Sequence, residues 1–163
     1  MGLSPSAHPA MDIREATIDD AAAISGLIWP LAEEYIAAEL PPEGARNLLA
    51  SMEPDAIRSY LQAGMRYHVA ERDGMLAGVV GVRDNAHLYH LFVAELFGGQ
   101  GLARRLWDHA RDACREKGNA GEFTVHSSRF ALEMYRKFGF VESGPPETRD
   151  GVTSVPMKLV RPA

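Results

Sequence analysis

The stretch Val93-Ala94-Glu95-Leu96-Phe97-Gly98-Gly99-Gln100-Gly101-Leu102-Ala103-Arg104-Arg105-Leu106-Trp107 decides how this chain is read. Before it, Leu88 to Val93 is an apolar, strand-like run. A short loop with Gly98, Gly99 and Gly101 follows and opens directly onto an amphipathic helix. Glycine lets a backbone approach a ligand and turn its N–H groups inward. A helix N-terminus adds unpaired N–H groups and a positive dipole end. Together they make an anion site, most naturally for phosphate. The loop lacks the Gly-Lys-Ser/Thr ending that places a lysine on a γ-phosphate, and it lacks the G-x-G-x-x-G spacing of a dinucleotide site. Two readings stand at this point: a phosphorylated ligand held by backbone amides, or a strand-to-helix turn that needs glycine for geometry alone.

A second stretch, Ser127-Ser128-Arg129-Phe130-Ala131-Leu132-Glu133-Met134-Tyr135-Arg136-Lys137-Phe138-Gly139-Phe140, reads as a short helix with Ser128 as its N-cap and Gly139 as its terminator. The two stretches resemble the two hallmarks of the GNAT superfamily of acetyl-CoA-dependent N-acetyltransferases. The first hallmark is a pyrophosphate loop, Gln/Arg-x-x-Gly-x-Gly/Ala, after a strand ending apolar-x-Val. Leu91-Phe92-Val93 ends such a strand here, and Gly101-Leu102-Ala103 matches the last three loop positions. Gly98 stands where the family prefers Gln or Arg, which removes one side-chain contact. The second hallmark is matched by Ala131, Tyr135, Gly139 and Phe140 at the family's offsets, while His126 or Ser128 stands where the family usually has Asn. The resemblance runs from about Met11 to the C-terminus.

That resemblance implies an α+β fold with a central, mixed but mostly antiparallel sheet flanked by helices. It also implies acetyl-CoA as co-substrate, held by Leu91, Phe92, Val93, Gly98, Gly99, Gln100, Gly101, Leu102, Ala103, Arg104 and Ser128. The central strand is splayed in this family, which would leave a backbone N–H near Phe92 or Val93 for the acetyl carbonyl.

Bulk properties agree with one domain over residues 11–163, since 163 residues suffice for a sizeable core. A hydrophobic content of 46% with 24% charged residues is that of an ordinary globular chain. A net charge of -5 argues against a general nucleic-acid partner. A single cysteine, Cys114, rules out an internal disulfide and a Cys-rich zinc site, and no metal is expected. Cys114 falls on the apolar side of a helix and reads as packed. No apolar run approaches the roughly 20 residues that span a bilayer, and no secretory signal pattern is present, so no membrane partner and a cytoplasmic location are expected. Met1 to Ala10 reads as a disordered leader. Its Met-Gly-Leu-Ser-Pro-Ser start fits the myristoylation pattern formally but has no basic cluster or second anchor.

From Met11 the expected order is mixed. Met11 to Arg14 is a strand, and Thr17 with Asp20 forms a capping box. Ile18, Ala21, Ile24, Leu27 and Ile28 recur at helical spacing until Pro30 kinks or ends the helix. Leu31 to Leu40 is then a second helical piece, followed by helices over 43–51 and 54–63. Strands over 66–71, 76–82 and 87–93 are joined by turns at Asp73-Gly74 and Asp84-Asn85. A helix over 101–117 buries Leu102, Leu106, Ala110 and Ala113. Strands over 123–126, 140–142 and 152–159 complete the chain, with Pro156 expected at an edge or a bulge.

Acetyl transfer from a thioester to an amine needs a neutral amine, a donor for the oxyanion and a proton for the leaving thiolate. The resemblance makes Tyr135 the general acid, because a phenol stays protonated at neutral pH. The base stays open among His90 and His87, expected on opposite strand faces by the period of two, and Glu33, Glu34 and Glu95. His90 and Glu34 lead that set. Trp29, Tyr35 and Tyr60 are candidate pocket aromatics, with Trp107 and Phe130 expected in the core. The acceptor is an amine on a small molecule or a peptide, and the acidic balance favours a cation. A different class is a catalytically weak acyl-CoA-binding or regulatory module of the same fold, supported by the departures at Gly98 and at the usual Asn. A homodimer would cover exposed sheet edges.

Overall fold

The computed structural model describes residues 11–160; the leader expected over 1–10 lies outside them. The chain runs β1 (Asp12–Glu15), α1 (Ala21–Tyr35), α2 (Pro42–Ala50), α3 (Pro54–Gln62), β2 (Arg66–Arg72), β3 (Met75–Arg83), β4 (His87–Val93), α4 (Leu102–Glu116), β5 (Phe123–Ser127), α5 (Leu132–Lys137), β6 (Val141–Glu142), β7 (Glu147–Arg149) and β8 (Val152–Leu159). The strands form one sheet in the order β1-β2-β3-β4-β5-β8-β6, with β7 also paired to β8. Every pairing is antiparallel except β4 with β5. Among the described residues, no helix is long and apolar enough to cross a membrane.

Both faces of the sheet are covered. On one face α4 buries Leu106, Trp107 and Ala110 against Val80, Val82, Phe123 and Val125. On the other, α1 and α3 bury Ile24, Ile28 and Ile57 against Tyr67, Val69 and Val79. The near-continuous apolar run Ala77 to Val82 on β3 follows from this, because a strand covered on both sides has no polar face. Helix α4 comes close at Gly78, where a Cβ would lie 2.7 Å from Leu106 Cδ1. Cys114 is fully buried as expected, while Ala113 is only half-buried.

The N-terminal turn is tied by charge. Asp20 accepts the Thr17 N–H at 2.7 Å and a forked pair of bonds from Arg14 at 2.8 and 2.9 Å. Arg14 also reaches Glu71 on β2 at 2.9 Å, so one guanidinium joins β1, β2 and the start of α1.

Two expectations about proline are corrected. Of the two outcomes expected at Pro30, the helix end is overturned: α1 runs through it to Tyr35, with a 3₁₀ turn at Ala37–Glu39 in place of further α-helix. Pro30 sits on the exposed side, and the carbonyl left without its donor belongs to exposed Gly26, where water can serve it. Pro156 sits inside an interior strand, opposite His126 of β5. Its carbonyl accepts from Ser143 N–H at 2.9 Å on the β6 side, so its missing N–H falls on that side too, in the gap between the β6 and β7 pairings.

The β7–β8 hairpin folds back onto α2. Its turn, Asp150-Gly151, has φ of 53° and 78°, a primed two-residue turn. There Gly44 and Gly151 meet backbone to backbone; a Cβ on Gly151 would lie 2.8 Å from Gly44 Cα. Asn47 Nδ2 donates to the Asp150 carbonyl at 2.8 Å.

Candidate active site

The site begins as a fork in the sheet. β4 and β5 pair only through His87↔Thr124 and Leu88↔Val125. Beyond Leu88 the strands part, and Tyr89 to Val93 have no strand partner on that side. A cavity of about 830 Å³ fills the opening. Leu91, Phe92 and Val93 line it from β4, Ser128 from the end of β5, and Ala131, Met134 and Tyr135 from the α5 region. Backbone N–H and C=O groups on an unpaired strand edge need partners, and an extended amide-bearing arm is shaped to supply them.

The glycine loop stands at the open end of this fork. Phe97, only 6% exposed, anchors its 3₁₀ turn, and Gly98 N–H closes that turn on the Glu95 carbonyl at 3.0 Å. Gly99 and Gly101 take φ of 75° and 76°, a conformation that favours glycine, and Gly101 is the N-cap of α4. Among the described residues, no amide from Gly99 to Arg104 has a protein acceptor; the first such bond is Arg105 N–H to the Gly101 carbonyl at 3.1 Å. A row of free amides at the start of a 15-residue helix, with the positive end of its dipole, is chemically suited to an anion. Gly98 and Ala103 reach the cavity wall, whereas Gly99, Gln100, Gly101, Leu102 and Arg104 lie beyond it on the loop and helix start. Arg104 is occupied elsewhere, 3.4 Å from Asp108, over the Phe138 ring and within 3.3 Å of the Lys137 carbonyl.

Tyr135 projects from α5 into the fork. Its ring packs edge-on against Phe140, with centroids 5.6 Å apart, and the residue is buried. Burial pushes its phenol well above the usual range, so it is protonated at any physiological pH. Ser128 accepts the Ala131 N–H at 3.2 Å, capping the turn that leads into α5.

The opposite side of the cavity corrects the period-of-two reading of β4. The β3–β4 register shifts between Gly81 and Val82, so that His90 faces Gly81 and Leu88 faces Val82 with Tyr89 as the extra residue. Leu88 and Leu91 both pack toward α4. His87, Tyr89, His90 and Phe92 therefore share the other face, and all four line the cavity. The two histidines stand on the same face rather than on opposite ones. His90 is buried, with Nδ1 2.9 Å from the Tyr67 hydroxyl, and burial pushes its pKa down to about 3.

Glu34 is exposed and outside the cavity wall, while Glu95 lies on it. Tyr35 sits by both carboxylates, Glu95 foremost, and its phenol is pushed up to about 12. Phe130 is 61% exposed rather than in the core, stacked on Tyr35 at the cavity mouth with centroids 4.7 Å apart. Trp107 is buried in the core as expected. The sequence reading missed Tyr89, Tyr67 and the β7–β8 hairpin as parts of this region. The glycine at 81, opposite a large aromatic in a neighbouring strand, was the one local signal of close packing there.

Residues 36–161 match the acetyltransferase (GNAT) domain family, to which this chain belongs. It is 32% identical over 101 residues to a mouse protein called "Probable N-acetyltransferase family 8 member 5", a match covering 55% of this chain and 44% of that one. The chain spans about half the length of the curated relatives it matches. Solved structures that share its fold include two N-acetyltransferases. One is a GCN5-related N-acetyltransferase from Rhodopseudomonas palustris, with TM-score 0.75 at 21% identity, covering 93% of this chain and 98% of the other. The second is the PaiA N-acetyltransferase of Thermoplasma acidophilum in complex with coenzyme A, with TM-score 0.73 at 17% identity, covering 92% and 98%.

Proposed function

We propose that this chain is an N-acetyltransferase that moves the acetyl group of acetyl-CoA to a primary amine by direct attack, with Tyr135 as general acid. The observation that carries the reading is the alignment of the free amides at Gly99 to Arg104 with the unpaired edge of β4. The amides suit the pyrophosphate and the strand edge suits the amide-rich pantetheine arm. The arm would then point the thioester into the fork, toward Tyr135. PaiA, of the same fold, is known in complex with coenzyme A.

A thiolate of parent pKa about 8.5 leaves more easily when protonated, and a buried, protonated phenol is a suitable donor. An amine of pKa near 10.4 arrives charged and must lose a proton before attack. The face of β4 that carries His87, Tyr89 and His90 supplies the acceptor side, away from α4 and the phosphates.

Calorimetric titration with acetyl-CoA tests the reading, with Gly101→Val as control. That substitution meets no steric block, since a Cβ at Gly101 points into open space; it acts by opposing the positive φ that turns the amides outward. Saturable binding by the native chain and weakened binding by the folded variant are expected. A folded native chain that does not bind acetyl-CoA would overturn the proposal.

A further inference from the structure

We propose that His126 is the base that receives the acceptor amine's proton, and that His87 is the residue that positions it. The inference rests on the acetyl-transfer reading above and assigns that reaction its missing base. The two imidazoles face each other across the closed end of the fork, one on each of the strands that diverge there, with ring centroids 4.8 Å apart at 66°. Both line the cavity on the face away from α4. The His87 Nδ1 is engaged with Thr124 Oγ1 at 2.7 Å, which holds that ring in place. His126 has no hydrogen-bond partner among the described residues, and the residue opposite it on β8 is Pro156, whose side chain offers none. Its ring nitrogens are therefore open to the cavity and to solvent.

The other titratable groups on the cavity wall serve less well. His90 is buried, with one ring nitrogen committed to Tyr67. Glu95 stands at the mouth beside Tyr35, at the phosphate end of β4. Tyr135 is kept protonated by burial. His87 itself is pushed down to about 4, by burial first and then by Arg83 and His126, so it adds no charge beside His126 at neutral pH. Imidazole is also the side chain whose ordinary titration lies nearest neutral pH. The charged groups around the pair are Arg83 and Asp84 at the end of β3, Glu147 and Arg149 on β7, Asp150 at the hairpin turn, and Lys158, in register with Thr124 on β8.

The acceptor enters as an ammonium, and His126 takes one proton and passes it to solvent. The neutral nitrogen forms a bond to the thioester carbonyl carbon, the C–S bond breaks, and the sulfur leaves with the Tyr135 proton. The second proton lost by the nitrogen restores Tyr135 through water. One amide, one free thiol and one released proton result.

The test measures acetyl-CoA binding and acetyl transfer to n-butylamine and to a pentapeptide with a free N-terminal alanine, over pH 5–9. His126→Gln is expected to keep acetyl-CoA affinity within about twofold while kcat/KM falls about 100-fold and the acid limb of its pH profile disappears. His87→Gln is expected to lower kcat about tenfold with little change in KM and to displace that limb without removing it; a merely structural role would leave the limb in place. A second measurement on the unmutated chain, NMR titration of its imidazoles, should show acetyl-CoA shifting the His126 signals. A folded His126→Gln variant with native kcat/KM and an unchanged acid limb would overturn the proposal, as would His126 signals indifferent to acetyl-CoA. Native protein that fails to bind acetyl-CoA, or binds it and acetylates neither amine, would instead count against the transferase reading beneath it.

Discussion

Tyr67 Oη and His90 Nδ1 lie 2.9 Å apart, although their strands are separated by β3. The contact crosses β3 at Gly81, in register with both residues, and the absent side chain there leaves room for the tyrosine ring. A Cβ on Gly81 would lie 2.7 Å from ring atoms of Tyr67. Gly81→Ala should therefore displace the ring, cost about 1–3 kcal/mol of stability as overpacking in a filled core, and break the bond to His90. Urea denaturation measures the first effect and the His90 imidazole chemical shift the second; a variant as stable as the native chain would show that the ring has somewhere else to go.

Tyr135→Phe keeps the ring against Phe140 and removes only the hydroxyl. Acetyl-CoA affinity should stay within about twofold while kcat falls about 100-fold, the usual scale for losing a general acid. Steady-state kinetics beside calorimetry separates the two, and unchanged turnover would remove Tyr135 from the chemistry.

Asp20 gives the fold a pH dependence of known sign. The bonds from Arg14, first among its influences, hold its carboxyl below the usual range in the folded chain. A folded pKa below the unfolded one stabilises the fold above about pH 4, and that contribution is lost as pH falls through the folded value. Because Arg14 is partly exposed, the contribution is about 1 kcal/mol. Thermal melts from pH 6 to pH 2 should show Asp20→Asn less stable at pH 6 and the gap to the native chain closing at the acid end. A gap that stays constant would show that the ion pair contributes nothing net.

The β7–β8 hairpin should come loose when its seat on α2 is filled. Gly44→Ala puts a methyl group where the Gly151 carbonyl now lies, and neither backbone can yield easily. Faster tryptic cleavage after Arg149, read by mass spectrometry, is the expected outcome, with Asn47→Ala giving a smaller increase because it removes only the bond to the Asp150 carbonyl. Equal cleavage in all three proteins would mean that the hairpin is held by its pairing with β8 alone.

The sequence by itself determined what depends on neighbours along the chain. His87 to Val93 and Val152 to Leu159 were legible as strands to the residue, because apolar runs between turn formers leave few alternatives. The turns at Asp73-Gly74 and Asp84-Asn85 were equally plain, since those residues tolerate the positive φ that the turns require. The turn-forming glycines of the loop and the short helix bearing Tyr135 were legible locally, whereas a site role for either came only with the resemblance to the GNAT motifs. What the tertiary structure alone decided involves residues distant in sequence. The bulge opposite Gly81 put His87 and His90 on one face, and no local pattern announces an extra residue set by a neighbouring strand. Phe130, in the turn before α5, lies at the cavity mouth rather than in the core, stacked on Tyr35 of α1, a partner nearly a hundred residues away. The pairing of His126 with His87 exists only because β4 and β5 run parallel for two residues and then part. Registers, strand order and the close approach of backbones are set by packing between elements, and a linear pattern carries no measure of that.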